Sequence, residues 1–335
     1  MNVGSVIADR FRVDEAFSSG GLSKSYKGFD LQENRDVLIR VMQSSKRGDK
    51  NALKRFEVAA AAAQKVNHPG IVPLLHAGVL KDGLPYLVYN FMRAHNLRDE
   101  IARDGRMAPA RVRDIVLQVT VALQNAHDAR VVHRNVKPGN ILIGHDEAGL
   151  LVVYVTGFGI ARSMASRGNT SSIILNITQT KKVVGSPTYM APEQFASTEL
   201  DARADVYTLG CVMYEMLMGH PPFQADSYLT TAARHSFDAA EPIALKHPDV
   251  PPYMEAIVAV CLRKKPDNRY QSMQELHDDL MARQCRFPDA KFGDDLPPKA
   301  GSRGQNSHAA MSTKVMYGAG IALVVAALAW LAANP

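Results

Sequence analysis

In the first third of the chain, apolar and polar residues alternate in short runs that end at turn residues: RFRVDEAF, SYKGFD, DVLIRVM and LPYLVYNF. A period of two sends successive side chains to opposite faces, as in half-buried strands. The stretch ALKRFEVAAAAAQKV breaks this pattern, and its alanine content and spacing predict a helix among the strands. From about Leu97 the period lengthens to that of helices, in ARVRDIVLQVTVALQNAHDA, DVYTLGCVMYEMLMG, YMEAIVAVCLRK and SMQELHDDLMARQ. The pattern therefore predicts an α+β fold of two lobes, a small strand-rich one over 1–92 and a larger helical one over 93–285. Residues 286–314, rich in Pro, Gly and polar groups, read as a flexible linker.

The next stretch differs in kind. Residues 315–333, VMYGAGIALVVAALAWLAA, carry no charge, and as a helix they would extend about 28 Å, the depth of a bilayer core. Tyr317 and Trp330 sit near its two ends, where interfacial aromatics belong. A buried core helix is the plainer alternative, but the preceding linker and the lack of a polar face favour a transmembrane helix. Lys299, Arg303 and Lys314 precede it and no charge follows, which places the preceding lobes in the cytoplasm, anchored by a single pass in the inner membrane. A chain ending at Pro335 leaves no room for an extracytoplasmic sensor, so input is expected from the cytoplasm or the bilayer. MNVGSVIADRFRVDE has early charges and no long apolar core, so it is not a signal peptide.

Composition narrows the function classes. At 335 residues, 46% hydrophobic and 21% charged, the chain is an ordinary globular protein. A net charge of +6 without a dense Lys/Arg block argues against nucleic-acid binding. The three cysteines, Cys211, Cys261 and Cys285, are far apart and form no CxxC pair, so reduced thiols fit better than a metal site.

The motifs FSSGGLSKSYKG, VLIRVM, NHPGIV, HRNVKPGN, GFGIAR, GSPTYMAPE, DARADVYTLG and PDNRY follow one another in that order. In this order they resemble the protein kinases, and among them the bacterial Hanks-type (eukaryotic-like) Ser/Thr kinases, over about residues 4–283. The resemblance implies the two-lobed kinase fold. It also names the parts that phosphoryl transfer needs: a glycine-rich loop, a strand Lys held by a helix Glu, a loop Asp that orients the acceptor hydroxyl, and an Asn and a second Asp that hold magnesium.

Position by position, most of those parts are changed. In SSGGLSKS only Gly20 stands on the glycine pattern, with Ser18 and Ser23 replacing its neighbours; a plain hairpin turn and a weak nucleotide cradle are both open. Ser25 takes the place of the residue that roofs the adenine, and Leu38 that of a small alanine. Arg40 replaces the strand Lys, and Ala59 stands where its Glu partner belongs. Glu57, two positions back, would point about 200° away. His133, Arg134, Lys137 and Asn140 match the catalytic loop, but Asn135 holds the place of its Asp and Gly157 that of the magnesium Asp. The nearby acids Asp146 and Glu147 lie in a turn, IGHDEAGL, that should face away. An amide takes up no proton near neutral pH, and hard cations want carboxylates. The resemblance further implies a nucleotide against Gly20, Arg40, Asn90, Met92 and Leu142, phosphorylated threonines at Thr178 and Thr180, and structural roles for Glu193, Asp205 and Arg269. His133 and Phe158 fall at packing positions, where plain core is an equally good description.

The scaffold is thus kept and the chemistry replaced, which points to a membrane-anchored pseudokinase acting as a scaffold or allosteric module. Its expected partners are cytoplasmic signalling proteins, among them active Ser/Thr kinases or phosphothreonine-binding domains, and not nucleic acid. A kinase with low or non-standard activity is the alternative, as is an ATP-binding sensor without turnover that uses Arg40 and Lys137; ATP stays open as a cofactor, and Mg2+ is not expected.

Overall fold

A computed structural model describes residues 2–20, 23–42, 50–158, 187–196 and 200–296. Six antiparallel strands form the N-terminal lobe: β1 (Val6–Ile7), β2 (Phe11–Gly20), β3 (Ser23–Asp30), β4 (Arg35–Met42), β5 (Leu74–Val79) and β6 (Pro85–Asn90), in spatial order β1-β2-β3-β4-β6-β5. The alternation read from the sequence sets the faces. On β4, Val37, Ile39 and Val41 enter a core with Phe11, Val13, Tyr26 and Val88, so Leu38 and Arg40 face the other way. Helix α1 (Lys50–Gln64) packs on β5, with Phe56, Ala60 and Ala63 buried and Glu57 exposed.

The second lobe contains α2 (Leu97–Asp104), α3 (Pro109–Asp128), α4 (Glu193–Ala196), α5 (Arg203–Met218), α6 (Tyr228–Phe237), α7 (Pro252–Cys261) and α8 (Met273–Ala282) among the described residues. Every residue of α5 from Ala204 to Met218 is buried, so this helix has no polar face and is surrounded by the others. Helix α3 packs against α8 and α5, and α7 packs on α5. A three-stranded sheet, β7 (His95–Asn96), β8 (Ile141–His145) and β9 (Leu151–Val155), rests on α3. The sequence reading placed this hairpin in a helical region and did not single out α6, which begins at a Ser227 cap accepting from the Thr230 amide.

Two lobes of the expected kinds are therefore present, but the expected linker starts too early. Residues 286–296 are docked on the second lobe. Phe292 meets the Tyr214 ring edge-on at 5.9 Å, and Asp294 forms a two-pronged ion pair with Arg263 at 2.7 and 3.1 Å. Gly293, at φ +81°, lies so close to Ala239 that an added Cβ would sit 2.7 Å from that residue's Cβ. The Pro/Gly composition resembled a linker because the anchors are spaced apart and their partners are distant in sequence. Residues 297–314 and the expected span 315–333 lie outside the described residues, among which no helix is long and apolar enough to cross a membrane.

A buried ion pair joins two parts of the second lobe that are far apart in sequence, Glu193 and Arg269. The Arg269 guanidinium is fully buried and grips both Glu193 oxygens at 2.7 and 2.9 Å. Its remaining donors go to the carbonyls of Arg263, Lys264 and Arg203 at 2.7, 2.8 and 3.0 Å. Each guanidinium nitrogen is thus satisfied, which makes a buried charge tolerable. Removing one partner strands the other, so Arg269→Met is expected to lower unfolding stability in urea by about 3–5 kcal/mol. A loss under about 1 kcal/mol would show that the pair does not hold the lobe together.

Candidate functional site

The site is built on Asp205, in the first turn of α5 and fully buried. Its Oδ1 accepts the Arg134 amide at 2.8 Å, and its Oδ2 accepts the His133 amide at 2.7 Å and lies 2.8 Å from His127 Nε2. An acid inside a helix with no exposed face persists only when its oxygens are matched in this way. The grip bends the chain, and Arg134 takes φ +62°, a left-handed conformation that non-glycine residues adopt only when their surroundings impose it. Gln194 holds the same residue from the other side, its Nε2 donating to the Arg134 carbonyl at 3.1 Å while its Oε1 accepts the Ala191 amide at 2.9 Å.

His133 is buried and reaches Thr156 O through Nε2 at 3.1 Å, while its Nδ1 accepts the Asn135 amide at 3.2 Å. Those partners assign the proton to Nε2. Its ring lies 4.5 Å from that of Phe158, so the two packing positions do meet.

Asn135, Asn140 and Gly157 come together beside this loop. Asn140 Nδ2 donates to the Asn135 carbonyl at 2.8 Å, and its own carbonyl accepts the Thr156 amide at 2.9 Å. The Asn135 amide group faces Gly157 O at 3.5 Å. Gly157 has φ +76°, and a Cβ built on it would lie 2.6 Å from Asn140 Oδ1. The backbone that should offer a metal carboxylate thus has no room for a side chain while Asn140 keeps its place. Lys137 starts the 3-10 turn Pro138–Asn140 that delivers Asn140. Asp146 and Glu147 are exposed in the β8–β9 turn, where Asp146 accepts the Leu150 amide at 2.8 Å. Among the described residues no acid is drawn in at these positions, and no group of three His, Cys, Asp or Glu that could hold a metal occurs. The magnesium that a kinase fold implies therefore does not fit the donors present: two amides and a glycine offer it no carboxylate.

Above the loop, Arg40 lies with its guanidinium carbon 5.6 Å from the centre of the Tyr89 ring. Ser25 and Leu87 flank Arg40 in register, and Leu38 stands opposite Tyr89. Ser25 and Tyr89 are buried, and the Tyr89 hydroxyl has no hydrogen-bond partner. Ala59 is half-buried against the core and carries no group that could pair with Arg40. Gly20 ends β2 opposite Ser23. Asn90 ends β6 and approaches Met92 Sδ at 3.6 Å, and Leu142 lies on β8, with Met92 and Leu142 packed against the main core. Between the catalytic loop and the segment after 187 is a cavity of about 10 Å³, lined by Arg134, Asn135, Lys137, Tyr189, Met190 and Gln194, room for one water.

Thr178 and Thr180 lie outside the described residues. Gln194, His127 and the pair Tyr189–Glu215 escaped the sequence reading. The Tyr189 hydroxyl donates to Glu215 at 2.7 Å, and burial holds the Glu215 carboxyl above the usual carboxylate range despite that bond. A charge inside the apolar run of α5 was the available signal.

Residues 11–281 match the protein kinase domain family. Serine/threonine-protein kinase PknB of Mycolicibacterium smegmatis is 38% identical over 288 residues, 85% of this chain and 44% of that protein. The PknB of Mycobacterium tuberculosis is 36% identical over 284 residues, 84% of this chain and 44% of its own length. This chain thus spans less than half of the curated relatives it matches. In fold it is similar to the M. tuberculosis PknI kinase domain, with a TM-score of 0.67 at 19% identity, covering 84% of this chain and 98% of that one. The chain belongs to the protein kinase family, with PknB-type bacterial Ser/Thr kinases among its relatives.

The crowding at Gly157 gives a direct test. Gly157→Ala is expected to cost about 1–3 kcal/mol, because it places a Cβ at positive φ against Asn140. Asn140→Ala in that background should cost at least about 0.5 kcal/mol less than in the parent. Strict additivity in denaturant melts would show that the two residues do not compete for one space.

Proposed function

We propose that this kinase-family domain acts as a signalling scaffold or allosteric module that does not carry out metal-assisted phosphoryl transfer. One observation carries the reading: positions 135, 140 and 157 bring two amides and a glycine together with no acid beside them. Asn135 has the outline of a carboxylate but cannot receive the proton of an acceptor hydroxyl, and losing base assistance alone typically costs ~10²–10⁴ in rate. Loss of the metal carboxylate adds a further, non-additive deficit in charge stabilisation. Arg40 keeps a positive charge in the cleft, so an ATP-binding sensor without turnover falls within the same proposal.

A Ser/Thr kinase with low or non-standard activity is the second reading, and the comparisons favour it over the first, because the relatives at 36–38% identity are named as serine/threonine-protein kinases. The residues at 135 and 157 support the first. The apolar stretch 315–333 supports a proposed membrane anchor with the kinase-like domain on the cytoplasmic side. Companion Ser/Thr kinases that modify Thr178 and Thr180, and domains that read phosphothreonine, are the proposed partners; each phosphate would add ~1.5–2 negative charges beside Lys181 and Lys182.

Labelled ATP separates the two readings. The full chain, given magnesium or manganese and a generic protein acceptor, is expected to incorporate no phosphate above an enzyme-free control. Incorporation that Asn140→Ala abolishes would overturn the scaffold reading in favour of the kinase.

A further inference from the structure

Residues 263–265 leave α7 and belong to no helix or strand; the Arg263 amide returns to Val260 O and Lys265 O accepts the Asn268 amide, while the other four peptide groups depend on outside partners. Two separate elements supply them. From one side, the Arg269 guanidinium takes the carbonyls of Arg263 and Lys264 at 2.7 and 2.8 Å. From the other, Asp295 accepts the amides of Lys264 and Lys265 at 2.5 and 3.3 Å, and Asp294 clamps the Arg263 side chain. The same short segment is thus held between the buried arginine and the chain that follows α8.

The docked segment is pinned along its length. Arg286 pairs with Asp279, whose other oxygen takes the Tyr270 hydroxyl at 2.8 Å. Phe287 meets Tyr270, and Arg263 lies over Phe287 at 5.2 Å. The Lys264 ammonium is buried over Phe223, 4.3 Å from the ring centre, and finds no hydrogen-bond acceptor among the described residues. Burial pulls this ammonium down to about 8, and Asp295 is among the charges that oppose the fall. Asp295 therefore both caps the segment and balances a charge beneath it.

We infer that residues 286–296 are a brace that fixes the Arg269 socket and, through it, Glu193 at the start of α4 and the Arg134–Asn135 loop. The contacts run without a gap: Asp294 and Asp295 to residues 263–265, those carbonyls to Arg269, Arg269 to Glu193, and the adjacent Gln194 to Arg134 O. Whatever docks or releases the brace acts on the catalytic loop. This regulation needs neither ATP nor metal and is independent of whether the domain transfers phosphate.

Contiguity alone does not establish coupling, so the test reads the far end of the path. In the full chain carrying Asp294→Ala and Asp295→Ala, amide hydrogen exchange is followed by mass spectrometry. Exchange should rise roughly tenfold, the response to about 1.4 kcal/mol of local destabilisation, in 131–136 and 187–196 as well as in 262–269 and 286–296. Strands β2–β4 should keep parental rates. Phe287→Ala with Phe292→Ala loosens the brace without altering charge and should give the same map, which covers the case in which the first variant does not fold. Faster exchange confined to 262–296, with 131–136 and 187–196 at parental rates, overturns the inference.

Discussion

Asp205 takes amide protons from two successive residues of a loop that would otherwise not hold its shape, and it does so from inside a helix buried on every side. The left-handed Arg134, the tautomer of His133 and the position of Asn135 follow from that grip. The arrangement is possible because α5 is the axis of the lobe: α3 and α7 pack on it, and the turn at 187–189 reaches it through Tyr189 and Glu215. A carboxylate placed there without its donors would cost several kcal/mol in desolvation. With them, it becomes the fixed point from which the site is measured.

Arg269 does for α4 what Asp205 does for the loop. Both are buried charges with full sets of partners, and Gln194 links the two systems through Arg134 O. Neither depends on the residues that would perform phosphoryl transfer. The architecture therefore stands with Asn135 and Gly157 at the two positions where the family resemblance expects acids. The amide keeps the size of the acid it replaces, and the glycine accepts the positive φ that the turn imposes.

Much of this was legible in the chain. Period-two runs located β2, β3, β4 and β6, and helical spacing located α5, whose burial on every side the structure adds. Ordered motifs located Asn135, Asn140, Gly157, Asp205, Glu193 and Arg269, because chemistry at those places depends on residue type and spacing. Contacts that depend on tertiary approach were not legible. The docking of 286–296 rests on Phe292 finding Tyr214 and Asp294 finding Arg263, and local composition gave the opposite impression. The crowding of Asn140 against Gly157 depends on backbone angles that no motif encodes. Gln194 follows the Pro–Glu motif with nothing to mark it as a tie to the loop.

We propose that, among the described residues, the scaffold is kept while positions 135, 140 and 157 offer no place for a divalent cation. The manganese resonance in electron paramagnetic spectra of Mn2+ and ATP, titrated with the full chain, reads that claim without requiring turnover. The account predicts that the protein does not lower the free Mn2+ signal below that of Mn2+ and ATP alone. Depletion of the free-ion signal by the protein, lost again in the Asn140→Ala variant, would contradict it.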